Sequence, residues 1–216
     1  MSFRGWPAEA IEFYEGLEAD NSKTYWNQNK SVYEKCVLQP MTELLEELAP
    51  EFGAAKLFRP YRDVRFSANK TPYKTAIGAT LGPGGYVQLS AEGLAAGSGM
   101  WMMAPDQLER YRMAVAAEAT GQSLTGLLTA LRAAGFQAEG HDPLKTAPKG
   151  YPKDHPRIEL LRYKGVTSWK QWEPGAWLGK PGAKDRIVEF LRKSRPLQDW
   201  LEANVGPSTL EHWGRH

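Results

Sequence analysis

Cysteine is almost missing from this 216-residue chain. Cys36 is the single one, so no internal disulfide forms, and a reducing cytoplasm is the expected compartment. No apolar run nears the roughly 20 residues of a membrane helix. The opening Met1-Ser2-Phe3-Arg4-Gly5-Trp6-Pro7 lacks a basic stretch followed by an apolar one, so secretion is not expected. Excess charge is missing too. The formal net charge is +2, which does not imply a wholesale nucleic-acid coat. No dinucleotide fingerprint or phosphate loop is present. Gly82-Pro83-Gly84-Gly85 joins two strands and precedes no helix, so it reads as a turn. No carboxylate pair stands out for acid–base catalysis. Ser67, Thr71 and Ser98 lack the setting of a nucleophile elbow. No cofactor is expected.

What is present is an ordinary globular composition, 42% hydrophobic and 24% charged, in a chain long enough to bury a full core. Tryptophan is the outlier, at positions 6, 26, 101, 169, 172, 177, 200 and 213. Such residues are large anchors with one polar handle, so core packing is their first reading and ligand stacking their second.

Periodicity then orders the chain. Ala10, Phe13, Tyr14 and Leu17 recur at helical spacing, so residues 7–18 form an amphipathic helix. Asp20, Asn21 or Ser22 caps a second helix with Tyr25, Trp26, Tyr33 and Val37 on one face. Pro40 kinks or restarts it, and the stripe continues to Pro50 before Gly53. Short strands are expected at 64–67, 74–81, 86–90 and from Leu94 to Met103, an antiparallel meander. Helices follow from Pro105 and from Ser123, with Gly135 as a C-terminal cap. A strand is expected near 136–139, a short helix at 157–163 and a strand at 166–172. Two closing helices, 183–194 and 196–204, are split by Pro196. Helices, then strands, then helices read as α+β. The expected organisation is one domain over 1–216, with 1–52 as a helical N-terminal lobe. The sheet meander, about residues 64–103 plus later strands, is packed by N-terminal, central and C-terminal helices.

The low net charge hides segregation. Residues 8–51 hold ten acids against three bases, while 59–74 hold Arg59, Arg62, Arg65, Lys70 and Lys74 against Asp63 alone. Pro60 forbids a helix interior and makes Arg59 extended. Alternation then puts Arg59, Tyr61, Asp63 and Arg65 on one face, and Arg62, Val64 and Phe66 on the other. Asp63 satisfies only part of five cations. The remainder need distant carboxylates, water or an anionic ligand. Two readings stand open: an internal ion network, or an anion site of Arg59, Arg62, Arg65 and Lys70 with Tyr73 as hydroxyl donor or stacking surface.

The run Arg59-x-x-Arg62-Asp63-x-Arg65-Phe66…Lys70-x-x-Tyr73 resembles the signature of an uncharacterised, mostly bacterial family catalogued as domain of unknown function 2461. Phe3-x-Gly5, Trp26…Lys30-x-x-Tyr33 and Pro148-Lys149-Gly150-Tyr151…His155-Pro156 resemble it as well. The resemblance covers nearly the whole chain. It implies an α+β domain with an important arginine segment, and it supplies no mechanism.

A second basic stretch, 141–157, carries His141, Asp142, Asp154, His155, Lys145, Lys149, Lys153 and Arg157. Its spacing matches no standard zinc pattern, so no metal is expected. The proline-rich stretch reads first as a structural loop. His155 is the best titrating group near neutral pH, and Asp63 is a possible base or arginine-orienting group; these two are weak catalytic candidates. Cys36, on a helical stripe, reads as a small hydrophobe rather than a nucleophile. The best functional expectation is binding of a phosphate-containing small molecule. The alternatives are a nucleic-acid-associated protein and an interaction scaffold whose arginines pair internally.

Overall fold

The computed structural model describes residues 2–63 and 70–210. Helix α1 (Glu9–Ala19) follows Pro7 and buries Ala10, Phe13, Tyr14 and Leu17, the expected stripe. Ser22 is the cap of α2 (Lys23–Val32): its hydroxyl accepts the Tyr25 N–H at 3.1 Å. A π-helical stretch, Tyr33–Leu38, then joins α2 to α3 (Gln39–Phe52). Here the Gln39 N–H reaches back to the Glu34 carbonyl, five residues earlier. The restart expected at Pro40 takes the form of this widened turn, with α3 beginning at Gln39 and Pro40 in its first turn. Proline lacks an N–H, and widening the preceding turn keeps the path helical. Gly53, at φ 93°, ends α3 in a conformation that a side chain would strain.

Four strands follow: β1 (Ala55–Leu57), β2 (Ala76–Leu81), β3 (Gly85–Ser90) and β4 (Gly93–Met100). Strand β1, which periodicity does not signal, is an edge strand with Leu57 opposite Ala79. In the β2–β3 hairpin, Ile77 opposes Leu89 and Ala79 opposes Val87, all buried. The three-residue turn is closed by Gly82, at φ 52°, where a Cβ would lie 2.2 Å from the Phe52 carbonyl oxygen. The expected strand at 64–67 lies outside the described residues.

Helix α4 (Pro105–Ala116) is followed at once by α5 (Glu118–Ala133). The latter begins five residues before Ser123, because Ala117, in an extended conformation, separates the helices in place of a longer loop. After Gly135 (φ 79°) come β5 (Gln137–His141), α6 (Ile158–Arg162) and β6 (Gly165–Trp172), as the pattern predicts. The final helix, α7 (Ala183–Asn204), runs through Pro196 unbroken, against expectation. A helical proline costs about 3 kcal/mol. Ile187 and Phe190 before it, and Leu197 and Leu201 after it, are fully buried, and at roughly 1.5–3 kcal/mol per side chain their burial offsets that cost.

The strands form an antiparallel six-stranded sheet in the order β1-β2-β3-β4-β6-β5, and the fold is α+β. The chain divides into two compact units. One comprises residues 1–96 and 171–191, the other residues 97–170 and 192–216. The helical stretch 1–52 belongs to the first, where α1, α2 and the π-helical turn pack together and α3 lies on β1 and β2. In the second, α4 packs on α5 and α6, and α5 on β5.

Candidate functional site

The arginine segment lies in the first unit and enters from β1. The Phe58 N–H donates to the Gly78 carbonyl at 2.9 Å, extending the sheet edge. Beyond it, Tyr61 and Tyr73 pair as an isolated antiparallel bridge. The bridge is framed by Arg62 N–H to the Pro72 carbonyl, 2.9 Å, and Lys74 N–H to the Pro60 carbonyl, 2.8 Å. The two tyrosines are thus the non-hydrogen-bonded pair, the kind whose side chains lie closest. Their rings are 5.5 Å apart. Alternation sends Arg62 and Lys74 to the opposite side from the tyrosines, on the side of Phe58. Lys74 Nζ accordingly sits 5.3 Å over the Phe58 ring.

The bridge is held from the N-terminal helices. Asn21, one of the expected cap candidates, does not cap α2. Its amide brackets the Tyr73 backbone instead, donating to the carbonyl and accepting the N–H, each at 3.1 Å. The Tyr73 ring stacks on Trp26 of α2 with centroids 4.4 Å apart and planes 6° off parallel. Tyr61 lies 5.8 Å from Trp26, and Tyr33 lies 4.8 Å from Trp26 on another side. Burial, with the neighbouring Tyr61, pushes the Tyr33 phenol up to about 12. Two stretches that resemble the family signature, Trp26…Tyr33 and Arg59…Tyr73, therefore meet in one aromatic cluster.

The cations sit around that bridge. Arg59 and Lys70 are exposed and Arg62 and Lys74 are half-buried. Burial, then the Arg59 charge, then the Arg62 charge, hold the Lys74 ammonium below the ordinary lysine value. Among the described residues, no carboxylate pairs with Arg59, Arg62 or Lys74. Arg65 lies outside the described residues. Tyr73 is buried at 5% exposure, under its stack with Trp26, whereas Tyr61 is 49% exposed. The half-open ring is thus one that residue types alone did not single out. Lys74 was missed as a site residue for a similar reason: only the bridge register shows that it shares a side with Arg62.

The two weak catalytic candidates fall in different units. Asp63 is exposed, in the first. His155 is in the second, where its Nδ1 accepts the Arg157 N–H at 3.0 Å at the start of α6. Arg157 reaches the carbonyls of Val115 (2.7 Å), Ala116 (3.0 Å) and Ala117 (3.3 Å), and the Glu118 carboxylate at 3.1 Å. His141 stands against Trp101 with ring centroids 4.0 Å apart, and burial lowers its pKa. Cys36 is half-buried, and burial together with Glu9 pushes its thiol up, away from the reactive thiolate. No described group of three or more His, Cys, Asp or Glu is placed to hold a metal ion.

No curated protein matches the chain. A solved structure, the conserved hypothetical protein Pfu-178653-001 from Pyrococcus furiosus, is similar at 14% identity. The match covers 78% of this chain and 98% of that one, with a TM-score of 0.39. The chain belongs to the family described as conserved hypothetical protein (DUF2461), whose model matches residues 9–200.

Proposed function

We propose that this family member binds a phosphate-containing small molecule at the Tyr61–Tyr73 bridge, through Arg59, Arg62 and Lys74. One observation carries the reading. Lys74 is partly buried beside Arg59 and Arg62, whose charges add to burial in depressing its ammonium, and no described carboxylate pairs with any of the three. A fold that brings like charges together without neutralising them favours an anionic ligand, which relieves the repulsion on arrival. Guanidinium forks from Arg59 and Arg62 suit phosphate oxygens, and Lys74 adds a point charge. Lys70 and Arg65 belong to the same proposed site by sequence. The proposed setting is the cytoplasm, in keeping with the lone thiol of Cys36. No described helix is long and apolar enough to cross a membrane.

The test is thermal unfolding with inorganic phosphate, pyrophosphate or sulfate, at low and high salt. A ligand at about 100 times its Kd adds roughly 2.7 kcal/mol of stability. The expected result is a clear upward shift for the wild type, lost in the double variant Arg62→Gln, Lys74→Met. If neither phosphate nor pyrophosphate shifts the wild type, the proposal fails.

A further inference from the structure

We infer that the ligand is a nucleotide, its base stacked on Tyr61 and its phosphates held by the adjacent cations. The inference rests on the anion-binding reading and adds the recognition of a flat ring. Among the described large apolar or aromatic side chains that stand exposed, Tyr61, Trp101, Met102, Met113 and Leu210, Tyr61 is the one adjacent in the chain to the proposed anion-binding residues. It is also prepared for stacking. Its ring is packed against Trp26 and Tyr73 at centroid distances of 5.8 and 5.5 Å, yet it keeps 49% of its surface open. The support behind it does not yield, because Tyr73 is buried, stacked flat on Trp26 and bracketed through its backbone by Asn21. A ring held in this way loses little freedom when a second ring lands on it.

The charge is placed to match. Arg59 lies two residues before Tyr61, across the bend at Pro60 and at most roughly 7 Å along the chain. Arg62 follows Tyr61 directly from the other side, and Lys74 lies on that side too, close enough for both arginines to act on its ammonium. Binding requires a long guanidinium side chain to reach past the single Tyr61–Tyr73 bridge to a phosphate group near Tyr61. The chemistry selected is an aromatic plane joined by a short polar linker to two or more phosphate charges, as in a nucleoside diphosphate.

The experiment compares three probes by calorimetry at fixed salt: pyrophosphate, adenosine 5′-diphosphate and a single-stranded oligonucleotide. The proteins are the wild type, Tyr61→Leu and Tyr61→Phe, each shown to melt near the wild-type temperature. Aromatic stacking on a base implies about 5- to 100-fold tighter binding of the nucleotide than of pyrophosphate. Tyr61→Leu should abolish that preference and leave pyrophosphate affinity unchanged, while Tyr61→Phe keeps it. Equal wild-type affinity for pyrophosphate and nucleotide, or a preference that survives in Tyr61→Leu, overturns the stacking inference and leaves the anion site standing. Binding of none of the three removes both. An oligonucleotide bound more tightly than the nucleotide, with steep loss in salt, overturns it in favour of a nucleic-acid surface.

Discussion

Two basic stretches, 59–74 and 141–157, look alike as sequence and differ in what the fold does with their arginines. In the second, the one arginine is consumed. Arg157 is only 11% exposed, and its guanidinium is spent on three carbonyls at the α4–α5 junction and on Glu118. The cations that follow are spent as well. Arg162 donates to the Leu144 carbonyl at 2.6 Å and pairs with Glu159 at 3.1 Å, and Lys164 pairs with Asp142 at 2.6 Å. In the first stretch, Arg59, Arg62 and Lys74 have no such partners among the described residues. A paired cation reports on architecture. A cluster that repels itself is evidence for a ligand, and only the second kind is useful for assigning function.

The largest effect that would break this comparison is at Arg157. Arg157→Met keeps the aliphatic stem and strands the Val115 and Ala116 carbonyls, while the exposed Ala117 carbonyl keeps the Gly121 N–H. With about 1–3 kcal/mol for each buried group left unsatisfied, and partial rescue by water, the expected loss is about 3 kcal/mol of stability, read by urea melts. A loss under about 1 kcal/mol would mean that this guanidinium is as unneeded by the fold as those of the first stretch.

Arg62→Gln is the counterpart, with a much smaller expected effect. It removes no described ion pair, so stability should stay within about 0.5 kcal/mol of wild type while phosphate-induced stabilisation drops. The opposite outcome is informative. A loss near 3–5 kcal/mol with no ligand effect would show a buried charge stranded by removal of its partner, and the segment would then be an internal ion network.

Legibility from sequence follows the same divide. Local rules served well where burial and capping are local. The α1 stripe, the Ser22 cap, the hairpin turn at Gly82 and the Gly135 terminus were all readable, because each depends on residues within a few positions. Pro196 misled, because a helix with a heavily buried stripe tolerates one missing bond, whereas Pro40 does sit where one helix gives way to the next through a widened turn. The candidate site was readable as a charged segment. Its interior was not: that Asn21 would hold Tyr73, that Tyr73 would vanish under Trp26, and that Lys74 would share a side with Arg62 are pairings at a distance, set by a single bridge register. The one weak signal was that the Trp26…Tyr33 and Arg59…Tyr73 stretches both resembled the same family.

The smallest effect is also the sharpest probe of the cation cluster. The Lys74 ammonium titrates below 10.5 in the native protein, chiefly through burial and then through Arg59 and Arg62. The cation–π contact with Phe58, typically about 0.5–1 kcal/mol, opposes that shift and does not cancel it. Between the depressed native value and 10.5, the unfolded chain holds a proton that the native chain has released, so this group makes stability rise with pH. Below that window both states are protonated and the cost is carried in full. The Tyr14 and Tyr33 phenols, raised above their usual 10.0, act in the reverse sense, since the native chain keeps protons that the unfolded chain loses as pH climbs past 10.0. The difference between wild type and Lys74→Met isolates the lysine. It should shift in favour of wild type as pH rises from neutral into the alkaline window. Bound phosphate should flatten that slope, because the anion restores the ammonium, and ligand binding in the window should take up a proton. A wild-type minus Lys74→Met difference that does not change with pH would mean that burial, Arg59 and Arg62 together do not hold the ammonium below its ordinary value, and the case for a built anion site would lose its one electrostatic support.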